Sequence, residues 1–166
     1  MAFNSPSSDA SEERLRRAGV RVTAARLAVL DSLAAGEHRA VDEIARIVRD
    51  RLGAASLQAI YNILETLAAA GLVRRIEPIG HPARYESRVA DNHHHLVCRE
   101  CGSIRDVDCA TGEPPCLSPA DAAGYLVDEA EVTYWGLCPR CQKKDVEAHS
   151  QLQDVTAPAR SEGGER

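Results

Sequence analysis

Residues 90–109, ADNHHHLVCRECGSIRDVDC, gather three histidines, three cysteines and three aspartates into twenty positions. Thiolate, imidazole and carboxylate at that density point to metal binding. Cys98 and Cys101 form one C-x-x-C pair, and Cys138 and Cys141 form a second. A two-residue gap lets both sulfurs of a pair face one ion from a turn, and two pairs together supply the closed tetrahedral set of a structural zinc. The pairs are farther apart than in a small zinc ribbon, so the ion is expected to clip the two ends of a subdomain together. A redox dithiol in each pair is the competing reading, but one tetrahedral ion accounts for both pairs at once.

His93, His94 and His95 precede the first pair in HHHLVC, which reads as a strand. Side chains alternate faces along a strand, so His93 and His95 point one way and His94 the other. A histidine pair at i and i+2 chelates a borderline divalent ion. Asp106, in the next strand-like run SIRDVD, adds an oxygen donor. Such a mixed nitrogen and oxygen set favours Fe(II), Mn(II) or Zn(II) and differs in kind from the all-thiolate site. A lone histidine is most often a surface or core residue; three in a row beside acids are better explained by a metal. The chain has no H-E-x-x-H and no general base at a set spacing from a histidine pair, so zinc hydrolase chemistry, and enzymatic activity in general, is not expected.

These donors need elements to carry them. Thr23 is a good N-cap for a helix over AARLAVLDSLAAG, ending at Gly36. In AVDEIARIVRDRLG, Val41, Ile44, Ala45, Val48 and Leu52 recur at helical spacing and Gly53 ends the run. Ser56 caps SLQAIYNILETLAAAGLV, whose Leu57, Ile60, Leu64, Leu67 and Ala68 form an apolar face opposite Gln58, Ala59, Asn62 and Thr66. LVRRIEPIGHPARYES then reads as a β-hairpin turning at PIGHP, with Arg74, Arg75 and Arg84 on or near it. Two short helices joined by a tight glycine-containing linker and followed by a hairpin describe a winged helix-turn-helix. In that arrangement the helix after Ser56 offers its first turns to the DNA major groove. A three-helix bundle with a hairpin and no nucleic acid is the plainer alternative.

The 166 residues suffice for one ordinary domain or two small ones, and with 44% apolar but only 4% aromatic residues the core must be built from Ala, Leu, Val and Ile. Such a core gains from a metal staple. Residues 1–90 carry 13 basic and 11 acidic groups, net +2; residues 91–166 carry 7 and 14, net −7, which together give the chain's −5. A half able to face phosphate is thus joined to one able to hold cations. No secretory signal and no membrane-length apolar run is visible, so a cytoplasmic protein with no membrane association is expected. Six cysteines in that setting read as metal or redox groups rather than structural disulfides. The expected organisation is α+β: an N-terminal winged helix-turn-helix domain over 1–87, a hinge at 88–92, a C-terminal α/β dimerisation domain with the four-cysteine zinc site over 93–148, and a disordered tail over 149–166.

The stretches RVTAAR, SLQAIYNILETLAAAGLV, RYE, HHHLVCRECG and GLCPRC, in this order and spacing, resemble the ferric uptake regulator (Fur) family of metal-dependent bacterial repressors over roughly residues 12–143. DNHHHLVCRECGSIRDVDC, GEPPCL and DEAEVTYWGLCP look most like its actinobacterial FurA/CatR branch, whose members repress catalase-peroxidase genes and respond to peroxide. The resemblance implies a homodimer on an inverted-repeat DNA operator, with structural zinc and a regulatory Fe(II) or Mn(II). It implies a sensory site of His38, Glu86, His93, His95 and Asp106, bridging the two domains. It also implies base contacts from Ser56, Gln58, Ala59, Tyr61 and Asn62, and phosphate or minor-groove contacts from Arg21 and Arg26.

Asn92 and Ala130 replace histidines of an additional metal site found in some family members, so that site is not expected and His94 is expected to face solvent. Asp106 is the peroxide-sensor choice, whereas Glu86 is the iron-sensor choice. Three signals therefore stay open: peroxide, through iron-catalysed oxidation of a ligand histidine; iron occupancy; or oxidation of Cys109 and Cys116, which otherwise serve as buried apolar residues or a small disulfide.

Overall fold

The computed structural model describes residues 6–34, 36–91, 93–109, 116–128 and 130–144; the expected disordered tail lies outside them. Four helices open the chain. α1 (Pro6–Arg17) is absent from the sequence expectation, because among its described side chains the only large buried one is Leu15 and no apolar rhythm announces it. Glu12–Arg16 and Glu13–Arg17 pairs line its outer face. Arg14 ties it down by donating to the carbonyls of Leu72 at 3.0 Å and Ser87 at 2.9 Å.

α2 (Ala24–Ser32) starts where expected, with Thr23 Oγ1 accepting the Arg26 N–H at 3.2 Å. It stops four residues short of Gly36. Its closing carbonyls are taken by other parts of the chain: Arg39 Nε donates to Ser32 O at 2.7 Å and Ser87 Oγ to Leu33 O at 2.7 Å. α3 (Val41–Leu52) begins with the Glu43 carboxylate accepting the Ala40 N–H at 2.8 Å, and ends at Gly53 in the left-handed region. α4 (Leu57–Ala69) is capped by Ser56 Oγ, which accepts the Ala59 N–H at 3.1 Å. Leu15, Val29, Leu30, Leu33, Ile44, Val48, Ile60, Leu64 and Leu67 fill one core at no more than 1% exposure. Losing a side-chain N-cap costs about 1 kcal/mol. Thr23→Ala should therefore lower the melting temperature by roughly 2–4 °C, read by thermal denaturation.

β1 (Arg74–Ile76) and β2 (Arg84–Glu86) pair antiparallel, Arg74 opposite Glu86. Arg39, in the linker between α2 and α3, adds a bridge to Tyr85 on the other side of β2, with N–H to O distances of 3.0 and 2.9 Å. Arg84 also reaches Glu43 of α3 at 2.7 Å, so the wing is fastened to the helices. Beyond the wing, β3 (His93–Cys98) forms the centre of a three-stranded sheet, antiparallel to β4 (Ile104–Asp108) and parallel to β5 (Thr133–Gly136), in the order β4-β3-β5. The molecule is α+β, a winged helical unit followed by a small mixed sheet. Among the described residues no helix is long and apolar enough to cross a membrane.

Candidate metal centres and nucleic-acid face

The sheet explains how two C-x-x-C pairs separated by a long stretch of chain converge. Cys98 ends β3, and the β3–β5 register sets it opposite Gly136, two residues before Cys138. The four sulfurs of Cys98, Cys101, Cys138 and Cys141 all lie within 4.8 Å of one another. Cys101 Sγ is 3.8 Å from Cys138 Sγ, and the Cys138 N–H points at Cys98 Sγ at 3.3 Å. Hydrogen bonding with Ser103 brings the Cys101 thiol down to about 5, and a backbone hydrogen bond at Cys141 lowers Cys138, while burial pushes Cys141 up to about 12. Two thiols are drawn toward thiolate and a third is held back. Four cysteine sulfurs this close can ionise together only around a cation, and zinc suits the set. Gly102 must be glycine here: its φ is +64°, and a Cβ would lie 2.6 Å from the His81 ring of the wing loop.

The second centre is assembled from both units. The Arg39–Tyr85 bridge sets His38 beside Glu86, and the β3–β4 register sets His95 opposite Asp106. One donor atom from each of His38, Glu86, His95 and Asp106 falls within 4.8 Å of all the others. His38 Nε2 is 3.2 Å from Glu86 Oε2 and 2.8 Å from Asp106 Oδ1, and His95 Nε2 is 3.3 Å from Glu86 Oε1. Yet His38 Nε2, Glu86 Oε1, His95 Nε2 and Asp106 Oδ1 are buried without a well-aligned hydrogen bond among the described residues. Buried polar atoms are normally satisfied; these lie close together without satisfying one another, as ligands around a common point do.

Burial opposes ionisation of Glu86. The close imidazoles of His38 and His95, with Nε2 at 3.2 and 3.3 Å, and the charges of His95 and His93 outweigh it and hold the carboxyl at about 2. Glu86 thus offers a negative charge to a divalent ion, with the carboxyl of Asp106 beside it. His93, an expected ligand, is buried beside this group but outside its four-donor set, its Nε2 3.1 Å from Glu86 Oε2 and its Nδ1 2.7 Å from Asp91 Oδ1. Asp91 and Arg88 were not anticipated. Arg88 joins Asp91 at 2.6 Å, Asp106 at 3.5 Å and Asp108 at 2.7 Å, linking the chain after the wing to β4. The D-x-H spacing of Asp91 and His93 was the available signal for a carboxylate orienting a histidine.

His94 departs from the expectation. It is 3% exposed, not solvent-facing, and it gathers Cys109 and Cys116 around it, with donor atoms all within 4.8 Å. Those two cysteines are half-buried and form no disulfide.

On α4, Gln58, Ala59, Tyr61 and Asn62 are exposed, as is Ser56 before it. Helical periodicity alone would draw Tyr61 toward the buried edge, but it stands 44% exposed. Gln58 Nε2 donates to Asn62 Oδ1 at 2.9 Å, holding two amides on one face. Arg21 is exposed, and its carbonyl accepts from Arg26 Nη1 at 2.8 Å, which keeps the two residues together before and on α2.

Residues 17–133 match the model of the ferric uptake regulator family. The chain is 57% identical over 133 residues to the transcriptional regulator FurA of Mycobacterium tuberculosis, covering 80% of this chain and 90% of that protein. It is 56% identical over 121 residues to ferric uptake regulation protein 1 of Mycolicibacterium fortuitum, covering 73% and 75%. The structure of the Campylobacter jejuni peroxide stress regulator superposes with a TM-score of 0.60 at 24% identity, over 85% of this chain and 100% of that one. With the family's model spanning most of its length and relatives this similar, the chain belongs to the ferric uptake regulator family, close to the actinobacterial FurA proteins.

Proposed function

We propose that this metal-responsive transcriptional regulator is a homodimeric cytoplasmic repressor. It holds structural zinc at Cys98, Cys101, Cys138 and Cys141, and Fe(II) or Mn(II) at His38, Glu86, His93, His95 and Asp106. It binds an inverted-repeat operator in the loaded state and releases it on peroxide, controlling oxidative-stress genes such as catalase-peroxidase. The observation that carries this reading is the meeting of His38 and Glu86, from the helical unit and wing, with His95 and Asp106 of the sheet. A set of ligands drawn from both units fixes the angle between them. Half-site spacing on DNA is geometrically strict, so fixing that angle in each protomer is enough to switch operator binding.

Iron, when bound, supplies the reduction of peroxide, with the oxidising equivalent ending on a ligand histidine. The chain's part is to place His93 and His95 side by side, ring centroids 4.9 Å apart and both buried, where either can be the group modified. Asp91 holds the His93 ring from behind. Glu86 favours a second reading, in which iron occupancy alone is the signal, and the similarity to ferric uptake regulation protein 1 fits it equally. Operator binding followed with Mn(II), Fe(II) and chelator, each with and without peroxide, separates them. Peroxide release confined to the iron form, with an added oxygen on a histidine by mass spectrometry, supports the first reading. Insensitivity of the iron form to peroxide supports the second. Equal release under Mn(II), with oxygen only on Cys109 or Cys116, would move the sensor to the thiols.

Ser56, Gln58, Ala59, Tyr61 and Asn62 then face the bases, with the Tyr61 ring against a thymine methyl. Arg21 and Arg26 face the backbone. Replacing Arg21 with alanine should weaken binding to every sequence alike and lower the slope of log K against log salt by roughly 1. Anisotropy titrations over a range of salt check this, and an unchanged slope would remove Arg21 from the phosphate contacts.

A further inference from the structure

The β3–β4 ladder has two faces. His93 opposes Asp108 and His95 opposes Asp106, on the face that looks to the mixed nitrogen and oxygen centre. The intervening pair, His94 and Val107, looks the other way. Continuing the alternation, Cys109 falls on the His94 side. Cys116 approaches from beyond: its Sγ lies 3.2 Å from His94 Nε2 and 3.9 Å from Ala130 O. The imidazole is buried against the edge of Tyr134, ring centroids 6.4 Å apart, and the nitrogen it turns to the Cys116 thiol is Nε2. An imidazole shut away from water beside two thiols has the makeup of a donor set rather than of apolar packing, because a buried polar ring costs free energy unless something meets its nitrogens.

We propose that His94, Cys109 and Cys116 form a third metal site, separate from the two described above, that takes zinc. Two thiolates and a neutral imidazole balance a divalent charge. Three protein ligands at zinc-like spacing leave a fourth position for water or another donor. The donors also sort the ions: sulfur and nitrogen on this face select a thiophilic metal, while the carboxylate-rich face of the same strands suits Fe(II) or Mn(II). Cys98 stands four residues from His94 along β3, about 13 Å at the rise of a strand. The four-cysteine ion therefore does not share these ligands. The arrangement places a soft metal directly behind the sensory histidines, on the same two strands.

Cobalt(II) is the probe, since its thiolate bonds absorb in the near ultraviolet. The full-length protein, reduced, stripped of metal and kept anaerobic, is titrated with Co(II) as wild type, as Cys109→Ser/Cys116→Ser and as His94→Ala. The charge-transfer absorbance of the double variant should fall by about a third, two thiolates of six, while the tetrahedral four-thiolate spectrum persists. His94→Ala should keep both thiols and weaken the corresponding equivalent by at least about tenfold. Identical spectra and stoichiometry for wild type and double variant would overturn the site.

Thiol labelling of the wild type needs no variant to fold. Zinc added beyond the structural equivalent should protect both Cys109 and Cys116 from iodoacetamide, read peptide by peptide. Equal labelling with and without zinc, or a Cys109–Cys116 disulfide in the anaerobically purified protein, would count equally against it.

Discussion

His38→Ala is expected to leave the fold and the four-cysteine zinc in place and to abolish metal-activated operator binding. His38 is the one imidazole that the helical unit contributes to the mixed centre, and it reaches Glu86 at 3.2 Å and Asp106 at 2.8 Å. Its backbone neighbour Arg39 is bridged to Tyr85 of the wing, so the ligand is hydrogen-bonded to the wing through one residue. Without that imidazole, His93, His95 and Asp106 can still hold an ion on the sheet, but only Glu86 ties the ion to the DNA-binding unit. Outer-shell changes at metal sites already cost roughly 10–100-fold in affinity, and loss of a ligand should cost at least that. The informative result is the split between two readouts. Calorimetric titration with Mn(II) should show weakened binding, while anisotropy on the operator shows no metal-dependent response even at saturating Mn(II). His93→Ala should lose activation too, but mainly through affinity, since His93 belongs to the sheet. An operator response in His38→Ala restored fully by more Mn(II) would mean that His38 contributes affinity and not coupling.

How far these features were legible in the chain depends on how local each is. The caps of α3 and α4 were readable because Gly53 and Ser56 act on backbone groups within a few residues. The early stop of α2 was not, because Arg39 and Ser87, which take its last carbonyls, come from elsewhere. α1 carries too little apolar surface to announce itself, and β5 is only four residues long. Cys98 with Cys101, and His93 with His95, declare themselves by spacing alone, since both ligands of each pair sit on one turn or one strand. His38 and Glu86 are 48 positions apart, and residue patterns say nothing about their meeting; only family resemblance pointed to it. His94 is the instructive miss. Strand parity already set it on the side of Cys109, but Cys116, which closes the cluster, lies outside β4, where strand periodicity says nothing of its position.

Cys98→Ser is the second large effect. Cys98 ends the central strand of the sheet, 3% exposed, and its sulfur accepts the N–H of Cys138 across the junction of β3 and β5. The parallel β3–β5 pair is short, with four residues in register, and the cysteines at its end tie the turn after β3 to the helical turn at 139–144. Binding energy at a closed structural site is folding energy, so a serine here withdraws stability from the whole sheet. Each kcal/mol lost lowers the melting temperature by roughly 2–4 °C in a chain of this size. A drop of at least about 10 °C is expected, together with loss of one tightly held zinc per chain and a shift from dimer toward monomer in sedimentation. Excess zinc should recover little of it, because three thiols cannot close the tetrahedron. The helical unit has its own core, running from Leu15 to Tyr85, so helical circular dichroism should survive while the sheet fails. A Cys98→Ser protein that keeps its zinc through dialysis against chelator and melts with the wild type would show that the four sulfurs share no ion.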